Sequence, residues 1–445
     1  MHTDTATQID QTNPSASACR RDLPNPLDWP APIDSEAYHG IAGEAVRAIQ
    51  EHTESDPAAI LIQILVMFGN VIGPSAHFVV EATRHYLNLF TALVGRTAGG
   101  RKGTSFNQSL RVVSQIDPEW AASRIMKGLS SGEGLIYNVR DAQEKNEPLK
   151  ERGRIVDYQP VIVDPGIKDK RLLVVESEFA STLKVLSREG NTLSPVIRQA
   201  WDDGSLRTMT KNDPSKATGA HISIIGHITT EELLRHLSET EQSNGFANRF
   251  LWVAVRQSKL LPFGGNISED VLNPIKDRVA DAVRFGRDVG AMDFDPQASK
   301  MWPSLYYEMA QPCEGIVGRL TARSQAQVRR IACIYALLDK SNVVGSGHLS
   351  AAWAVWKYSQ ASVRFIFDRD QSAHDASAIH DALVMKPSGM TRTELSALFA
   401  RNKSVGDIEQ ALSRLAARGL AHKEKVTSTK GRPAERWLAA GAHAD

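Results

Sequence analysis

The longest apolar stretch of the chain covers residues 58–73 and has the sequence AAILIQILVMFGNVIG. Ser55 or Asp56 is placed to cap a helix there, and Pro57 suits the first turn, where a missing N–H costs nothing. At about 16 residues the stretch is shorter than the roughly 20 that cross a bilayer, and it carries two polar amides. The pattern therefore predicts a buried helix and no membrane partner.

The rest of the pattern predicts an α/β protein with several units. Residues 77–95 are β-branched and aromatic and are bounded by turns, which is typical of strands. Strands followed by helical patterns continue to about residue 256 and indicate a parallel or mixed sheet. The predicted segments are a flexible leader (1–35), an N-terminal helical segment (36–75), an α/β core (76–270), a helical bundle (271–370), a linker (368–375) and a small C-terminal module (375–440).

Composition narrows the class of protein. Hydrophobic residues make up 42% and charged residues 23%, a balance that excludes disordered, collagen-like and coiled-coil chains. Cys19, Cys313 and Cys333 are too few and too scattered for a disulfide framework or a zinc cluster. With no secretion signal at the start, we expect a reducing, cytoplasmic location. The formal net charge of +1 gives no indication of a polyanion partner, so any nucleic-acid-binding surface must come from a local cluster of positive charge.

A glycine-rich turn, GRTAGGRKGTS, follows an apolar strand that ends at Val94 and precedes a helix expected to begin near Thr104. Glycines let backbone N–H groups curl around phosphates, and the helix N-terminus adds partial positive charge. In such a loop a lysine reaches the β- and γ-phosphates and a hydroxyl binds magnesium. The predicted ATP-binding residues are Gly95, Gly99, Gly100, Arg101, Lys102, Gly103, Thr104 and Ser105.

The turn departs from the usual GxxxxGK[ST] pattern. Arg101 precedes Lys102, and Gly103 separates Lys102 from Thr104, so the loop is one residue longer on each side of the lysine. The alternative is a glycine-rich surface turn with two solvated cations.

Acidic residues follow several apolar runs, where a nucleotide hydrolase needs carboxylates for magnesium and for the attacking water. Glu176 ends the run RLLVV, and Glu178 lies two residues further on the same strand face, as its partner or the catalytic base. The alternative for this pair is an acidic helix N-terminus. Asp164 ends PVIV but leads into a Pro-Gly turn, so it is a weaker candidate for which the plainer interpretation is the cap of a hairpin. Glu133, in the turn GLSSGEG, is an alternative for activating water or is simply a helix-start acid.

Two further residues suit a nucleotide site. His227 ends the strand pattern AHISIIGHI, where a polar group can sense the γ-phosphate, although a structural histidine is the plainer interpretation. Arg249, in NGFANRFLW, is placed at the start of a strand on the predicted subunit surface. There it could stabilise phosphoryl-transfer charge as an arginine finger toward a neighbour, or form an ordinary salt bridge.

Two regions carry local positive charge. The polar loop 202–219 contains Arg207, Lys211 and Lys216, which could follow a DNA backbone. Residues 375–438 show three helical patterns and a hairpin, which is typical of a winged helix-turn-helix. Within 401–436 there are nine lysines and arginines against four acidic residues. The expected wing tip, with Lys430 and Arg432, could contact DNA, whereas the alternative for this fold is protein docking.

The segments VGRTAGGRKGTS, GLSSGEGL, LLVVESEF, HISIIGHIT and NGFANRFLW, in this order, resemble a bacterial family of largely uncharacterised primase-helicase-like P-loop proteins of plasmids, phages and genomic islands. The resemblance covers about residues 50–368. That family in turn resembles RecA-fold hexameric replicative helicases. The resemblance implies a RecA-like P-loop NTPase core, with residues 297–368 as a lid-like helical bundle. It also implies a homo-oligomeric ring, such as a hexamer, with nucleotides between subunits.

The same resemblance assigns roles to single residues. It implies that Lys102 and Thr104 contact phosphate and magnesium and that Glu176 belongs to the acidic strand. It further implies that His227 is the sensor and Arg249 the finger.

The sequence thus predicts an ATP-dependent DNA motor, a helicase or translocase that serves mobile-element replication or defence, with ATP and Mg²⁺ as cofactors. The alternative is a nucleotide-gated, non-hydrolysing DNA-binding protein, such as a replication initiator or repressor. A third hypothesis is a protein-partner ATPase whose C-terminal module docks another subunit.

Overall fold

The computed structural model describes residues 29–96, 99–151, 154–208, 215–399, 403–426 and 434–440. The first elements are α1 (Gly40–Gln50), α2 (Pro57–Ile72), β1 (His77–Val80), β2 (Thr83–Tyr86), β3 (Phe90–Val94), α3 (Lys102–Val113), α4 (Pro118–Ser123), β4 (Ile125–Met126) and α5 (Gly132–Tyr137). They are followed by β5 (Gln143–Glu151), β6 (Arg154–Asp164), β7 (Arg171–Glu176), α6 (Phe179–Leu186), α7 (Leu193–Asp202), β8 (Leu206–Arg207), β9 (Lys216–Ala217), β10 (His221–Ile228), α8 (Thr230–His236), α9 (Glu239–Ser243) and β11 (Phe250–Ala254).

The remaining elements are mostly helical. They are α10 (Glu269–Asp288), β12 (Ala291–Phe294), α11 (Pro296–Met309), α12 (Gly315–Thr321), α13 (Ser324–Leu338), β13 (Val343–Val344), α14 (Ser346–Val363), α15 (Arg369–Met385), β14 (Met390–Thr391), α16 (Arg392–Leu398), α17 (Val405–Ala417), β15 (Ala421–Val426) and β16 (Ala434–Ala439). A short π-helical segment, Arg364–Asp368, joins α14 to α15.

The centre of the fold is a five-stranded sheet in the order β11-β3-β10-β7-β4. All four pairings are parallel. If these five strands are numbered along the chain with β3 as strand 1, their order across the sheet is 5-1-4-3-2. Their carboxyl ends therefore meet at one edge of the sheet, which we call the carboxyl edge, and the opposite edge is the amino edge. This confirms the expected α/β core with a parallel sheet.

Helices cover both faces of this sheet because its strands are apolar on both sides. On β3 and just before it, Leu89 and Leu93 belong to one buried cluster, with α1, α2, α3, α10, α13 and α14. The alternate residues Phe90, Ala92 and Val94 belong to a second cluster, with α5, α6, α7 and α8. The predicted buried helix is α2, in which Asp56 accepts a hydrogen bond from the N–H of Ala58 at 3.0 Å.

Smaller sheets surround this core. β1 and β2 form an antiparallel pair that β12 and β13 extend into a four-stranded sheet beside α13. β5 and β6 form a long antiparallel hairpin, and Asp164 at its end is ion-paired with Arg140 at 2.5 Å. Asp164 lies at the open end of this hairpin and accepts from the N–H of Gly166 at 2.9 Å, a turn contact of the kind that its plainer interpretation predicted.

The C-terminal part packs α15, α16 and α17 around the sheet β14-β16-β15. Thr391 caps α16 as predicted, and Ile408, Leu412 and Leu415 of α17 are buried. The predicted linker at 368–375 is wrong, since α15 begins at Arg369. The segment is highly polar but contains neither glycine nor proline, so nothing in it stops a helix.

No helix in the described ranges is both long and apolar enough to cross a membrane.

Candidate functional site

Lys102 lies at the carboxyl edge, in the first turn of α3. Its Nζ donates to the carbonyl oxygen of Gly95 at 2.7 Å and to that of Arg96 at 3.4 Å. Partial burial lowers the pKa of Lys102, while the carboxylates of Glu232 and Glu231 act in the opposite direction. The ammonium thus lies inside the glycine-rich turn, held by backbone carbonyls. Residues 97 and 98 of that turn fall outside the described residues.

The turn is closely packed at its first glycine. A Cβ on Gly95 would lie 2.3 Å from the carbonyl oxygen of Val255, just after β11. The carbonyl oxygen of Gly99 accepts from the N–H of Gln257 at 2.8 Å. The chain after β11 therefore packs directly against the turn, and a side chain at Gly95 would push this chain and the turn apart.

Arg101 is the extra residue of this loop. It has a left-handed backbone with φ of 45°, which is uncommon outside glycine. Its guanidinium is ion-paired with Glu54 at 2.7 Å. Helix α3 consequently begins at Lys102, two residues before the predicted start, because the chain reverses at Arg101. Strained residues of this kind persist where the surrounding structure holds them, often at functional sites.

The two predicted hydroxyls differ in their surroundings. Ser105 is buried, and its Oγ donates to the carbonyl oxygen of Lys102 at 2.7 Å. Thr104 is exposed. Gly103 has open space where a Cβ would stand, whereas a Cβ on Gly100 would lie 3.2 Å from the Arg96 carbonyl oxygen. Of the two hydroxyls, Thr104 is the one placed to meet a ligand.

A polar connection runs from the turn to the end of β10. Gln63 of α2 is fully buried, and its Nε2 donates to Ser105 Oγ at 2.8 Å. Its Oε1 lies 3.4 Å from Nε2 of His227. Burial, with the charge of Lys102 in support, lowers the pKa of His227 to about 4. His227 is thus a neutral imidazole near the lysine, and Gln63 is a partner that the sequence pattern missed.

Glu176 ends β7, with one strand (β10) between it and β3. It is 8% exposed, and one carboxylate oxygen accepts the N–H groups of Gly128 at 2.5 Å and of Leu129 at 2.8 Å. The prediction that Glu178 continues the same strand face is wrong, because the strand stops at Glu176. Glu178 is the exposed residue just before α6.

Two other acidic residues lie close enough to Lys102 to raise its pKa. Glu231 and Glu232 begin α8, directly after β10, the strand next to β3. Both are exposed, and Glu232 is engaged with Thr229 in a capping box. The sequence analysis did not single out either residue.

Glu133 lies far along the same edge. It follows β4, which lies three strands away from β3 in the sheet. The usual strand spacing puts β4 about 14 Å from β3. Glu133 is in the first turn of α5, and its carboxylate accepts from Thr192 Oγ1 at 2.9 Å. This arrangement favours the plainer interpretation of Glu133 as a helix-start acid.

Arg249 lies at the amino edge, just before β11. The expectation of an arginine on the surface is wrong: its side chain is 6% exposed and is paired with Asp202 at 2.6 Å. The reason is local, because α7 ends at Asp202 and presents that carboxylate to the guanidinium. In this conformation Arg249 forms the salt bridge that was its second interpretation.

No protein-family model and no curated protein matches the chain. The residues around Lys102 therefore carry the functional assignment.

The predicted DNA contacts are only partly described. Arg207 and Lys216 are exposed and face each other across the β8–β9 pair. Lys211, Lys430 and Arg432 lie outside the described residues. Within the described C-terminal part, Lys423 is paired with Glu435 at 2.7 Å.

Another group in the described ranges has metal-ligand chemistry: His39, Asp339 and His348. Asp339 Oδ2 lies 2.7 Å from Nε2 of His39 and 3.2 Å from Nε2 of His348. The N–H of Gly345 donates to Nδ1 of His348 at 2.9 Å, so the proton of a neutral His348 is on Nε2. That nitrogen cannot then bind a cation, and the group serves to join α1, α13 and α14.

Proposed function

We propose that the chain is an ATP-dependent DNA motor with a RecA-like P-loop core, a helicase or translocase of a mobile-element replication or defence system. The observation that carries the proposal is the position of Lys102. Its ammonium lies between a buried parallel strand and a helix N-terminus, and among the described residues it donates only to backbone carbonyls of the glycine-rich turn. A phosphate could replace those carbonyl oxygens as the partner of the Lys102 ammonium. It would also be stabilised by the N–H groups at the N-terminus of α3.

The sheet order supports the same class of protein. Open parallel sheets bind ligands beyond the carboxyl ends of their strands, near the point where the strand order reverses. Here β3 leads into the glycine-rich turn and lies between β10 and β11, the last two strands of the sheet along the chain. That order is compatible with a RecA-like core. It brings the ends of β3 and β10, with Lys102 and His227, to the same place.

The chemistry proposed is attack of water on the γ-phosphorus, with cleavage of the bond to the bridging oxygen of ADP. The water proton would pass to an exposed carboxylate of the carboxyl edge, for which Glu178 and Glu231 are better placed than Glu133. Thr104 and Glu176 offer the oxygen ligands that Mg²⁺ prefers, and bound Mg²⁺ would neutralise phosphate charge. His227 would accept or donate a hydrogen bond at the γ-phosphate without carrying charge.

DNA contact is proposed through two surfaces. The C-terminal part, with three helices and a three-stranded antiparallel sheet, is compatible with a winged helix-turn-helix. Lys430 and Arg432, which fall outside the described residues, are the proposed DNA contacts of this part. In the core, the exposed cations Arg207 and Lys216 would follow a backbone, and further copies of the chain would complete an oligomer.

One observation favours the alternative, a nucleotide-gated DNA-binding protein that does not hydrolyse ATP. The carboxylate of Glu176 is already engaged by two backbone N–H groups, and Ser105 is committed to Gln63 and to Lys102. A site with these groups occupied can bind nucleotide without activating water.

Phosphate release from ATP, measured with and without single-stranded DNA, separates the two functions. The motor is expected to release phosphate faster with DNA, and Lys102→Ala is expected to abolish the release. Lys300→Ala, which removes an exposed lysine of α11, is the matched control and should retain it. ATP binding with no phosphate release under any condition would instead support the nucleotide-gated protein.

A further inference from the structure

A row of aromatic side chains runs from the four-stranded sheet beside α13 onto helix α11. It starts at Phe78 of β1, continues through Phe294 of β12, and ends on α11 with Trp302, Tyr306 and Tyr307. The centroids of consecutive rings lie 4.8, 5.2, 6.1 and 6.0 Å apart, in that order. We call these five residues the aromatic row. Three separate elements thus build one continuous chain of ring contacts.

The aromatic row passes from the core to the surface. Phe78 is 6% exposed, whereas Tyr306 and Tyr307 are 42% and 67% exposed. Trp302 is partly buried and lies four residues before Tyr306, on the same face of α11. The outer rings are therefore held in place by inner rings that the core fixes, and a ligand that stacked on them would meet a surface already arranged.

Arg329 of α13 lies against the inner part of the aromatic row. Its guanidinium carbon is 4.2 Å from the centroid of the Trp302 ring and 5.6 Å from that of Phe78. Its Nε is buried without a hydrogen-bond partner, and no carboxylate of the described residues is ion-paired with it. Partial burial lowers the pKa of Arg329, and the groups that act in the opposite direction, Tyr306 and Cys333, are not carboxylates. The aromatic row thus contains a cation that lacks an anion.

Exposed rings and an unpaired guanidinium together favour a ligand that has both flat faces and negative charge. Single-stranded nucleic acid has both, because its bases stack on aromatic side chains and its phosphates pair with cations. Sugars and proline-rich peptides also pack on aromatic rings, but they would leave Arg329 without a counter-charge. A duplex keeps its bases stacked on one another and offers no free base to the two tyrosines.

We propose that the aromatic row and Arg329 bind single-stranded nucleic acid, with bases on Tyr306 and Tyr307 and a phosphate at Arg329. Arg329 is only partly buried, so a phosphate can approach it from solvent. The site lies on β1, β12, α11 and α13, apart from the glycine-rich turn, from the loop 202–219 and from the C-terminal part. Only the identity of the strand as DNA rests on the function proposed above.

The first experiment tests the stacking. The full chain without ATP is titrated against a fluorescent strand of about ten deoxythymidines, and anisotropy reports binding. Tyr306→Ala and Tyr307→Ala should each weaken binding about fivefold or more, because one stacked base is lost. Tyr307→Phe keeps the ring and should bind as the unaltered chain does. Tyr158→Ala removes a tyrosine of β6 that is 57% exposed and is the matched control. Unchanged affinity in both α11 alanine variants, or an equal loss in Tyr158→Ala, would overturn the proposal.

The second experiment tests the phosphate contact. Binding of the same strand is measured over a range of salt concentrations. Arg329→Gln should make the plot of log affinity against log salt shallower by about 0.7, since one phosphate contact is lost, whereas Arg329→Lys keeps the charge and should keep the slope. Equal slopes for Arg329→Gln and the unaltered chain, with both folded by circular dichroism, would contradict the role of Arg329.

A third titration, with a uridine strand of the same length, identifies the nucleic acid. Tighter binding of the uridine strand that depends on the same tyrosines would assign the site to RNA and overturn its assignment to DNA. If the unaltered chain releases no phosphate from ATP, the proposed motor fails, while the titrations still decide the stacking site. Unchanged strand binding in the variants, beside phosphate release that DNA stimulates, would remove the site and leave the motor standing.

Discussion

His227 combines a strand-end position with almost complete burial, and its chemistry follows from both. The ring is 4% exposed and lies near the ammonium of Lys102, so protonating it would add a second charge to a poorly solvated place. His227 is therefore neutral over the physiological range of pH. Gln63, in turn, fixes the ring by a contact at 3.4 Å and ties it to Ser105 of α3.

This burial has a consequence for stability against pH. The pKa of His227 is about 4 in the folded chain and 6.5 for a free histidine, so the unfolded chain binds the proton more tightly. The stability that neutral His227 contributes is fully present above about pH 6.5 and is lost as the pH falls toward 4. His227→Gln should reduce the loss between pH 7 and pH 5 by about 2 kcal/mol. Urea unfolding at both pH values measures this, and an unchanged loss in the variant would contradict the placement of His227.

Arg249 and Glu178 show which residue-level properties the sequence could not supply. Both were correctly placed near the end of a strand. Whether Arg249 faces solvent depends on Asp202, 47 residues earlier, which only tertiary packing brings within 2.6 Å. Whether Glu178 belongs to the strand depends on where β7 ends. A strand end is set by hydrogen-bond partners on the neighbouring strand rather than by the local sequence pattern.

Helix α2 was predicted with its cap because the signals are local: an apolar run, a proline in the first turn and Asp56 before it. The same holds for α16 and its Thr391–Glu394 capping box. The segment 368–375 was mispredicted because a highly polar run was taken for a linker although no residue in it breaks a helix. Polarity indicates exposure, whereas only backbone chemistry stops a helix.

The two caps allow a matched pair of variants. Asp56→Ala and Thr391→Ala should each lower the free energy of unfolding by about 1 kcal/mol, because each leaves a helix N-terminus unsatisfied. Only Asp56→Ala should also weaken ATP binding, since α2 carries Gln63 and Asp56 also accepts from the N–H of Arg256. Denaturant unfolding and nucleotide titration measure both effects. Equal loss of ATP affinity in the two variants would argue that α2 has no special connection to the site.

For the molecule as a whole, the sequence predicted the order of motifs, and the sheet shows how those motifs meet. The turn after β3 and the strand ends of β7 and β10 come to one edge, as expected for parallel strands. What the sequence could not predict is the opposite edge. Asn88, Trp201 and Arg330 are separated by up to 242 positions, and no short motif indicates that they meet.

The central claim is that the glycine-rich turn with Lys102 is the nucleotide site, and ATP binding tests it most directly. Calorimetric titration of the full chain with ATP and Mg²⁺ should give binding that Lys102→Ala weakens at least tenfold and that Lys300→Ala leaves unchanged. Equal affinity of the Lys102→Ala and unaltered chains, with both folded, would contradict the claim.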